Sequence, residues 1–213
     1  MILDKLTSIT PVPFPHAVIR EALPWDLYHA LVSTWPTKQP SGENQVRLSR
    51  GHKLIARGDL TADWLEFIGR HQSREFFEQV NDLFGLGLSG TVSARGSNGK
   101  IGVECQLADT SPVTRPSSVK GPHWDSPKTK WAGILYCRDP SDTAGGDLQL
   151  YDVPRPRLYK DRFTSNHGEP FLTIPYEANT FVCWVNSPIS IHGVSERQPT
   201  NIPRRYINFT VDA

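Results

Sequence analysis

Apolar positions recur with a helical period in the first part of the chain and with an alternating period in the rest. Leu27, Ala30, Leu31 and Trp35 fit one helix, which Pro24 can open and Pro36 stops. Thr61 can cap a second, with Trp64, Leu65 and Ile68 on one side. Ser73 can cap a third, with Phe76, Phe77, Val80 and Phe84 before Gly85 ends it. Between Phe14 and Arg20 the chain reads as a short strand. From about residue 101 the period changes, and strands are predicted over residues 102–107, 130–136, 146–151, 170–175, 180–185 and 205–211. These segments are rich in β-branched and aromatic residues and are bounded by Gly, Pro, Asn and Asp. Many short strands after a helical part predict a mainly β fold, a double-sheet sandwich or barrel with the helices packed on one sheet. Residues 1–213 are expected to form one domain, with about 1–95 as helical support and about 101–213 as the β core. Two stretches, 108–122 and 154–169, lack periodicity and are long for loops inside a compact domain, which marks them as functional or mobile segments.

Composition narrows this picture. The chain has 213 residues, 38% hydrophobic and 21% charged, which suits a globular domain with a full core. A net charge of +1 gives no bulk attraction to nucleic acid or to a membrane surface. The first eleven residues include Asp4 and Lys5 and hold no apolar run of signal-peptide length, and no stretch is apolar enough to span a bilayer. A cytoplasmic location is expected. Cys105, Cys137 and Cys183 are an odd, scattered set without a C-x-x-C, so buried free thiols are expected rather than disulfides or structural zinc.

The candidate chemistry lies in His123-Trp124-Asp125 and the distant His192. In an extended segment His123 and Asp125 share one face and Trp124 points the other way. Two neutral imidazoles and one carboxylate leave three positions open on an octahedral ion, which is the ligand set of non-heme Fe(II) oxygenases. The same set suits zinc with an open fourth position. Arg205 then opens the alternating run Arg205-Tyr206-Ile207-Asn208-Phe209-Thr210-Val211, and its guanidinium can hold a carboxylate by a two-pronged contact. Arg205 is expected to face the site and Arg204 to face away, an assignment that a one-residue change of register reverses.

Taken in order, His123-x-Asp125, Tyr136, Gly145-Gly146-x-Leu148, His192-Gly193-Val194 and Arg205-Tyr206 followed by Val211 resemble the 2-oxoglutarate/Fe(II)-dependent dioxygenase superfamily, in its prolyl-4-hydroxylase-like branch. The resemblance is close over about the last ninety residues and loose over the helical part. It implies a double-stranded β-helix (jelly-roll) core with iron held by His123, Asp125 and His192. It implies that Arg205 and Tyr136 hold the distal carboxylate of 2-oxoglutarate and that O2 is the oxidant. The activity implied is decarboxylation of 2-oxoglutarate to succinate, coupled to hydroxylation of an unactivated C–H bond in a small-molecule or peptidyl substrate. Many relatives carry a Tyr on the strand before the H-x-D; here that strand has none, and Gln106 is the candidate replacement. Asp125 favours hydroxylation over halogenation, because related halogenases replace this carboxylate with a small residue.

Arg155, Arg157 and Trp124 are the substrate-side candidates. Arg155 and Arg157 share a loop with Lys160, Arg162, Tyr159 and Phe163, a composition suited to an anionic small molecule or an acidic peptide. Nucleic acid is disfavoured by the balanced charge. Two other readings stand beside the dioxygenase: a non-catalytic jelly-roll binding module, and a cupin-like enzyme using another divalent metal. Intact His123, Asp125, His192 and Arg205 argue against the first, and the Gly145-Gly146 turn with Arg205 against the second.

Overall fold

Among the described residues there are three helices, two of them opened by a side-chain cap. The Thr61 hydroxyl accepts from the Trp64 N–H at 3.4 Å to open α2 (Ala62–His71), after α1 (Trp25–Ser33) has run from Pro24. The Ser73 hydroxyl accepts from the Phe76 N–H at 3.1 Å to open α3 (Arg74–Phe84), which Gly85 ends in the left-handed region at φ 59°. Trp64, Phe67, Ile68 and His71 of α2 and Phe76, Phe77 and Val80 of α3 point into a common core. This computed structural model describes residues 1–36, 45–47 (backbone only), 60–93, 100–110, 112–118, 120–153 and 168–213.

The strands are β1 (His16–Ile19), β2 (Gln45–Arg47), β3 (Val92–Ser93), β4 (Ile101–Thr110), β5 (Thr129–Tyr136), β6 (Leu148–Leu150), β7 (Leu172–Ile174), β8 (Phe181–Val185), β9 (His192–Val194) and β10 (Arg204–Asp212). A seven-stranded sheet has the order β1-β8-β5-β10-β4-β2, with β3 added on β4, and a smaller sheet has the order β7-β6-β9. Two facing sheets of this kind, mostly antiparallel and joined by crossovers, make the expected jelly roll. Two details depart from the pattern-based picture. β1, the strand expected between Phe14 and Arg20, forms an edge of the large sheet, so the part before residue 95 supplies more than the expected helical support. The stretch after β4 is not simply a loop: Val113, Ser117 and His123 bridge to Thr200, Arg197 and His192, extending the small sheet beyond β9.

Both faces of the large sheet are buried. On one face Val103, Cys105 and Leu107 of β4, Trp131 and Leu135 of β5, Phe181 and Cys183 of β8, and Ile207, Phe209 and Val211 of β10 pack against the helices. On the other, Ala108, Ala132, Tyr136, Val182, Trp184 and Tyr206 meet Leu148, Leu150 and Ile174 of the small sheet. Gly133 of β5 is required for the first layer, since a Cβ there would stand 2.6 Å from the Phe181 ring. The three cysteines are buried and unbridged, and burial raises their thiol pKa values well above the ordinary range. Among the described residues no helix is long and apolar enough to cross a membrane.

His71 ties the N-terminus to this core. Its Nε2 accepts from the Ile2 N–H at 3.1 Å and its Nδ1 faces the Phe67 carbonyl at 2.7 Å, so the folded protein holds it neutral. Burial lowers its pKa from 6.5 to about 4. Protons then bind the unfolded chain more readily than the folded one between these values. The stabilisation is complete above about pH 6.5 and is lost as the pH falls toward 4, by about 3 kcal/mol in all. Urea unfolding of wild type and His71→Gln between pH 7 and 4.5 should show a steeper acid loss in wild type; parallel profiles would refute the assignment.

Candidate metal centre

His123 and His192 sit directly opposite each other across the extended small sheet. Their backbones exchange both hydrogen bonds, His123 N–H to His192 carbonyl and the reverse, each at 2.8 Å. Closely paired residues of this kind send their side chains to the same face, and the two imidazole centroids are 4.3 Å apart. Asp125 follows two residues after His123 and returns to that face. One ligand atom from each of His123, Asp125 and His192 lies within 4.8 Å of the others. Nε2 of His123 is 3.6 Å from Oδ1 of Asp125, and Nε2 of His192 is 3.6 Å from Oδ2.

The protonation pattern is that of a ligand set. His123 Nδ1 contacts the Gly121 carbonyl at 2.9 Å and His192 Nδ1 the Ser190 carbonyl at 3.0 Å, which places the proton on Nδ1 and leaves Nε2 free to ligate. His123 Nε2 is buried without a hydrogen-bond partner, an atom that a metal ion would satisfy. Burial holds His192 at about 3 despite the pull of Asp125, so it is neutral at physiological pH. For Asp125 burial alone raises the pKa, but His192, His123 and Lys120 outweigh it and keep the carboxylate ionised. The Lys120 ammonium stands 3.7 Å from Asp125 Oδ1.

Asn186 joins the two halves of the site, and the sequence reading missed it. Its Oδ1 accepts from the Asp125 N–H at 3.2 Å and from the Ser190 hydroxyl at 3.2 Å, and its Nδ2 donates to the carbonyls of Ser126 and Thr129. The backbone of Asp125 and the residue that orients His192 are thus fixed to one side chain. An Asn-Ser-Pro turn a few residues before the distal histidine was the available signal. Trp184 of β8 carries the site on the large sheet, its ring 4.5 Å from that of His192.

The other expected site residues divide between the two faces of the large sheet. Tyr136 and Gln106 lie on the inner face, the one toward His192. Tyr136 is fully buried, its hydroxyl makes no hydrogen bond of good geometry, and burial pushes its pKa up to about 12 against the opposing effect of Arg204. Gln106 is buried opposite Asn208, its amide donates to Glu104, and its Oε1 has no partner. Arg205 is a correction: it lies on the helix face, 3.4 Å from Asp109 and over the Trp35 ring. Ile207, Phe209 and Val211, which share its alternation, pack against the helices and carry Arg205 with them.

Arg204 faces inward instead. It is buried, donates from Nε to the Gly146 carbonyl at 2.8 Å, and lies among the rings of Tyr136, Tyr176 and Tyr206 at 5.1, 4.7 and 5.0 Å. Its Nη2 is buried without a hydrogen-bond partner, and no carboxylate of the described residues stands within ion-pair distance. Trp124 turns away from the metal face, as expected, and packs with Tyr151, Ile191 and Val153. Arg155 and Arg157 lie outside the described residues.

No protein-family model and no curated protein matches this sequence. Solved structures do match its fold. A prolyl-4-hydroxylase from Pseudomonas putida aligns with a TM-score of 0.55 at 15% identity, covering 92% of this chain and 91% of that one. HygX from Streptomyces hygroscopicus, with nickel and 2-oxoglutarate bound, aligns at 0.55 and 12% identity over 92% and 82% of the two chains. SnoN, a non-heme α-ketoglutarate-dependent epimerase of nogalamycin biosynthesis, aligns at 0.54 and 15% identity over 92% and 76%. The chain therefore has the jelly-roll fold of the 2-oxoglutarate oxygenases, the prolyl-4-hydroxylases among them.

Removal of Asn186 should loosen the ligand set without deleting a ligand. Asn186→Ala is expected to weaken Mn(II) binding by about 10–100-fold, as loss of an orienting partner does elsewhere. Equilibrium titration by electron paramagnetic resonance measures it, and unchanged affinity in a folded variant would contradict the assigned role.

Proposed function

We propose that this chain is an Fe(II)- and 2-oxoglutarate-dependent oxygenase that hydroxylates an unactivated C–H bond. One observation carries the reading: a two-histidine, one-carboxylate set on the small sheet and a buried guanidinium without an acidic partner on the large sheet lie on the facing sides of the two sheets. A metal-binding module needs no such cation. The fold likeness to oxygenases of differing chemistry supports the class.

In this reading His123, Asp125 and His192 hold the iron. When bound, iron with 2-oxoglutarate and O2 supplies the oxidising power, and the cosubstrate leaves as succinate and CO2. Arg204 takes the distal carboxylate through Nη2, on the N–H edge of its guanidinium not used by Gly146. Tyr136, which keeps its proton far above neutral pH, donates a further hydrogen bond. The three tyrosine rings hold the guanidinium in place and exclude water, which strengthens its grip on an anion. Arg205 stays paired with Asp109 and has no part in the chemistry.

Glu104, Gln106, Asn208 and Thr210 form a polar strip on the same face, paired across β4 and β10. Thr210 pairs with Ala132 and Ala132 with Trp184, which places that end of the strip in the row beneath His192. Such a floor suits a substrate with hydrogen-bonding groups, small-molecule or peptidyl. The neighbours named above include both a prolyl hydroxylase and an epimerase, so the fold does not select between them.

Metal-dependent consumption of 2-oxoglutarate, read as succinate, tests the proposal. Arg204→Met should raise the KM for 2-oxoglutarate by about 10–150-fold, the loss of a hydrogen-bonded charge worth about 1.5–3 kcal/mol. Arg205→Met should leave it within about twofold. The opposite ranking would overturn the choice of Arg204, and no metal-dependent turnover in wild type would overturn the function.

A further inference from the structure

Between β5 and β6, and again between β9 and β10, the chain carries a buried ion pair that the proposed chemistry does not use. Arg197 and Asp142 expose 1% and 0% of their side chains. Arg197 Nη2 donates to both Asp142 oxygens, at 3.3 and 3.1 Å. The same guanidinium donates to the Gly145 carbonyl at 2.9 Å and to the Ile202 carbonyl at 3.1 Å. Two of these partners, Gly145 and Ile202, adjoin the surroundings of Arg204. Gly145 precedes Gly146, whose carbonyl holds Arg204 Nε, and Ile202 lies two residues before Arg204 in the chain.

We infer that the Arg197–Asp142 pair is a positioning device for Arg204, and so sets how well the site discriminates 2-oxo acids that carry a second carboxylate. This inference rests on the role proposed for Arg204.

Three physical points support it. The first is steric. Gly146 has φ 95°, and a Cβ there would meet Arg197 Cγ and Arg204 Cδ, each at 3.0 Å. The two arginine stems therefore pack together on the same side of this glycine, in the space a Cβ would need. The second is electrostatic. Two guanidinium groups packed on one residue repel each other unless one is neutralised. Asp142 neutralises Arg197 and leaves the charge of Arg204 free to meet an anion. Removing Asp142 would leave Arg197 buried and uncompensated, a costly arrangement that drives it to shift. The third is anchorage. Asp142 is itself fixed by the Ala144 N–H at 3.1 Å, and its carbonyl accepts from Arg138 Nε at 2.6 Å. Arg197 is held in turn by paired backbone hydrogen bonds with Ser117 and by the bridge to Gly145. A fork of donors is needed to span Asp142, Gly145 and Ile202 at once, which a lysine ammonium cannot do from one position.

Calorimetry on the Mn(II)-loaded protein gives the test, with 2-oxoglutarate compared against 2-oxobutyrate, which shares the metal-binding head and lacks the distal carboxylate. The ratio of the two Kd values measures the distal grip alone. Arg197→Lys and Asp142→Asn should each shrink this ratio at least tenfold. The Kd for 2-oxobutyrate and that for Mn(II) should stay within about twofold of wild type, since a charge-assisted contact is lost only at the far end. Equal weakening of both acids would show a merely structural role and overturn the inference, as would an unchanged ratio. Should Asp142→Asn fail to fold, Arg197→Lys decides by the same criterion, because it keeps the buried charges paired. Arg204→Met is the control. If it leaves the ratio intact, the role of Arg204 fails; if it collapses the ratio while Arg197→Lys and Asp142→Asn do not, only the present inference fails.

Discussion

The pair of backbone hydrogen bonds between His123 and His192 is the constraint on which the candidate site depends. It brings residues 69 positions apart in the sequence into direct opposition, and it does so in the small sheet, facing the inner side of the large one. Once that pairing is set, the two-residue period of an extended strand delivers Asp125 to the same face. The Nδ1 contacts to Gly121 and Ser190 then settle which nitrogen of each ring points inward. Asn186 secures the arrangement from behind, and Trp184 gives it a floor. Directed lone pairs are thus converged by backbone geometry, and no long flexible side chain is needed to complete the set.

Charge is arranged between the two facing sheets. At the metal end, on the small sheet, stand the ionised Asp125 and the neutral imidazole of His192; at the other end, on the large sheet, stands Arg204, ringed by tyrosines. A linear dianion with a chelating head and a distant carboxylate matches that arrangement better than a monoanion does. The second buried arginine, Arg197, does not disturb it because Asp142 cancels its charge locally. The helix side of the sheet is organised differently. There Arg205 and Asp109 pair near Trp35, while aromatic and branched side chains fill the layer beneath α2 and α3.

Much of this was legible in the sequence, for identifiable reasons. Thr61, Ser73 and Gly85 mark helix ends through local chemistry, and the helices begin and end there. The spacing of His123 and Asp125 announces a shared face on any strand. What alternation could not decide was which face of β10 looks at the metal. Both faces of that strand are buried, so the run from Arg204 to Val211 reads equally well in either register, and the larger apolar set of Ile207, Phe209 and Val211 claimed the helix side. The pairing of Val113 and Ser117 with Thr200 and Arg197 was hidden because it is made by backbone groups in a stretch without hydrophobic period. Asp142 and Arg197 are ordinary charged residues until the fold brings them together across 55 positions.

The central claim is that the facing sides of the two sheets hold iron and a 2-oxo acid together. Anaerobic titration of the Fe(II)-loaded protein with 2-oxoglutarate tests it most directly, by the weak visible charge-transfer absorption of a 2-oxo acid chelated to ferrous iron. The account predicts a saturable band in wild type and none in His192→Ala. Iron that binds stoichiometrically at His123, Asp125 and His192 yet gives no band with 2-oxoglutarate would contradict it.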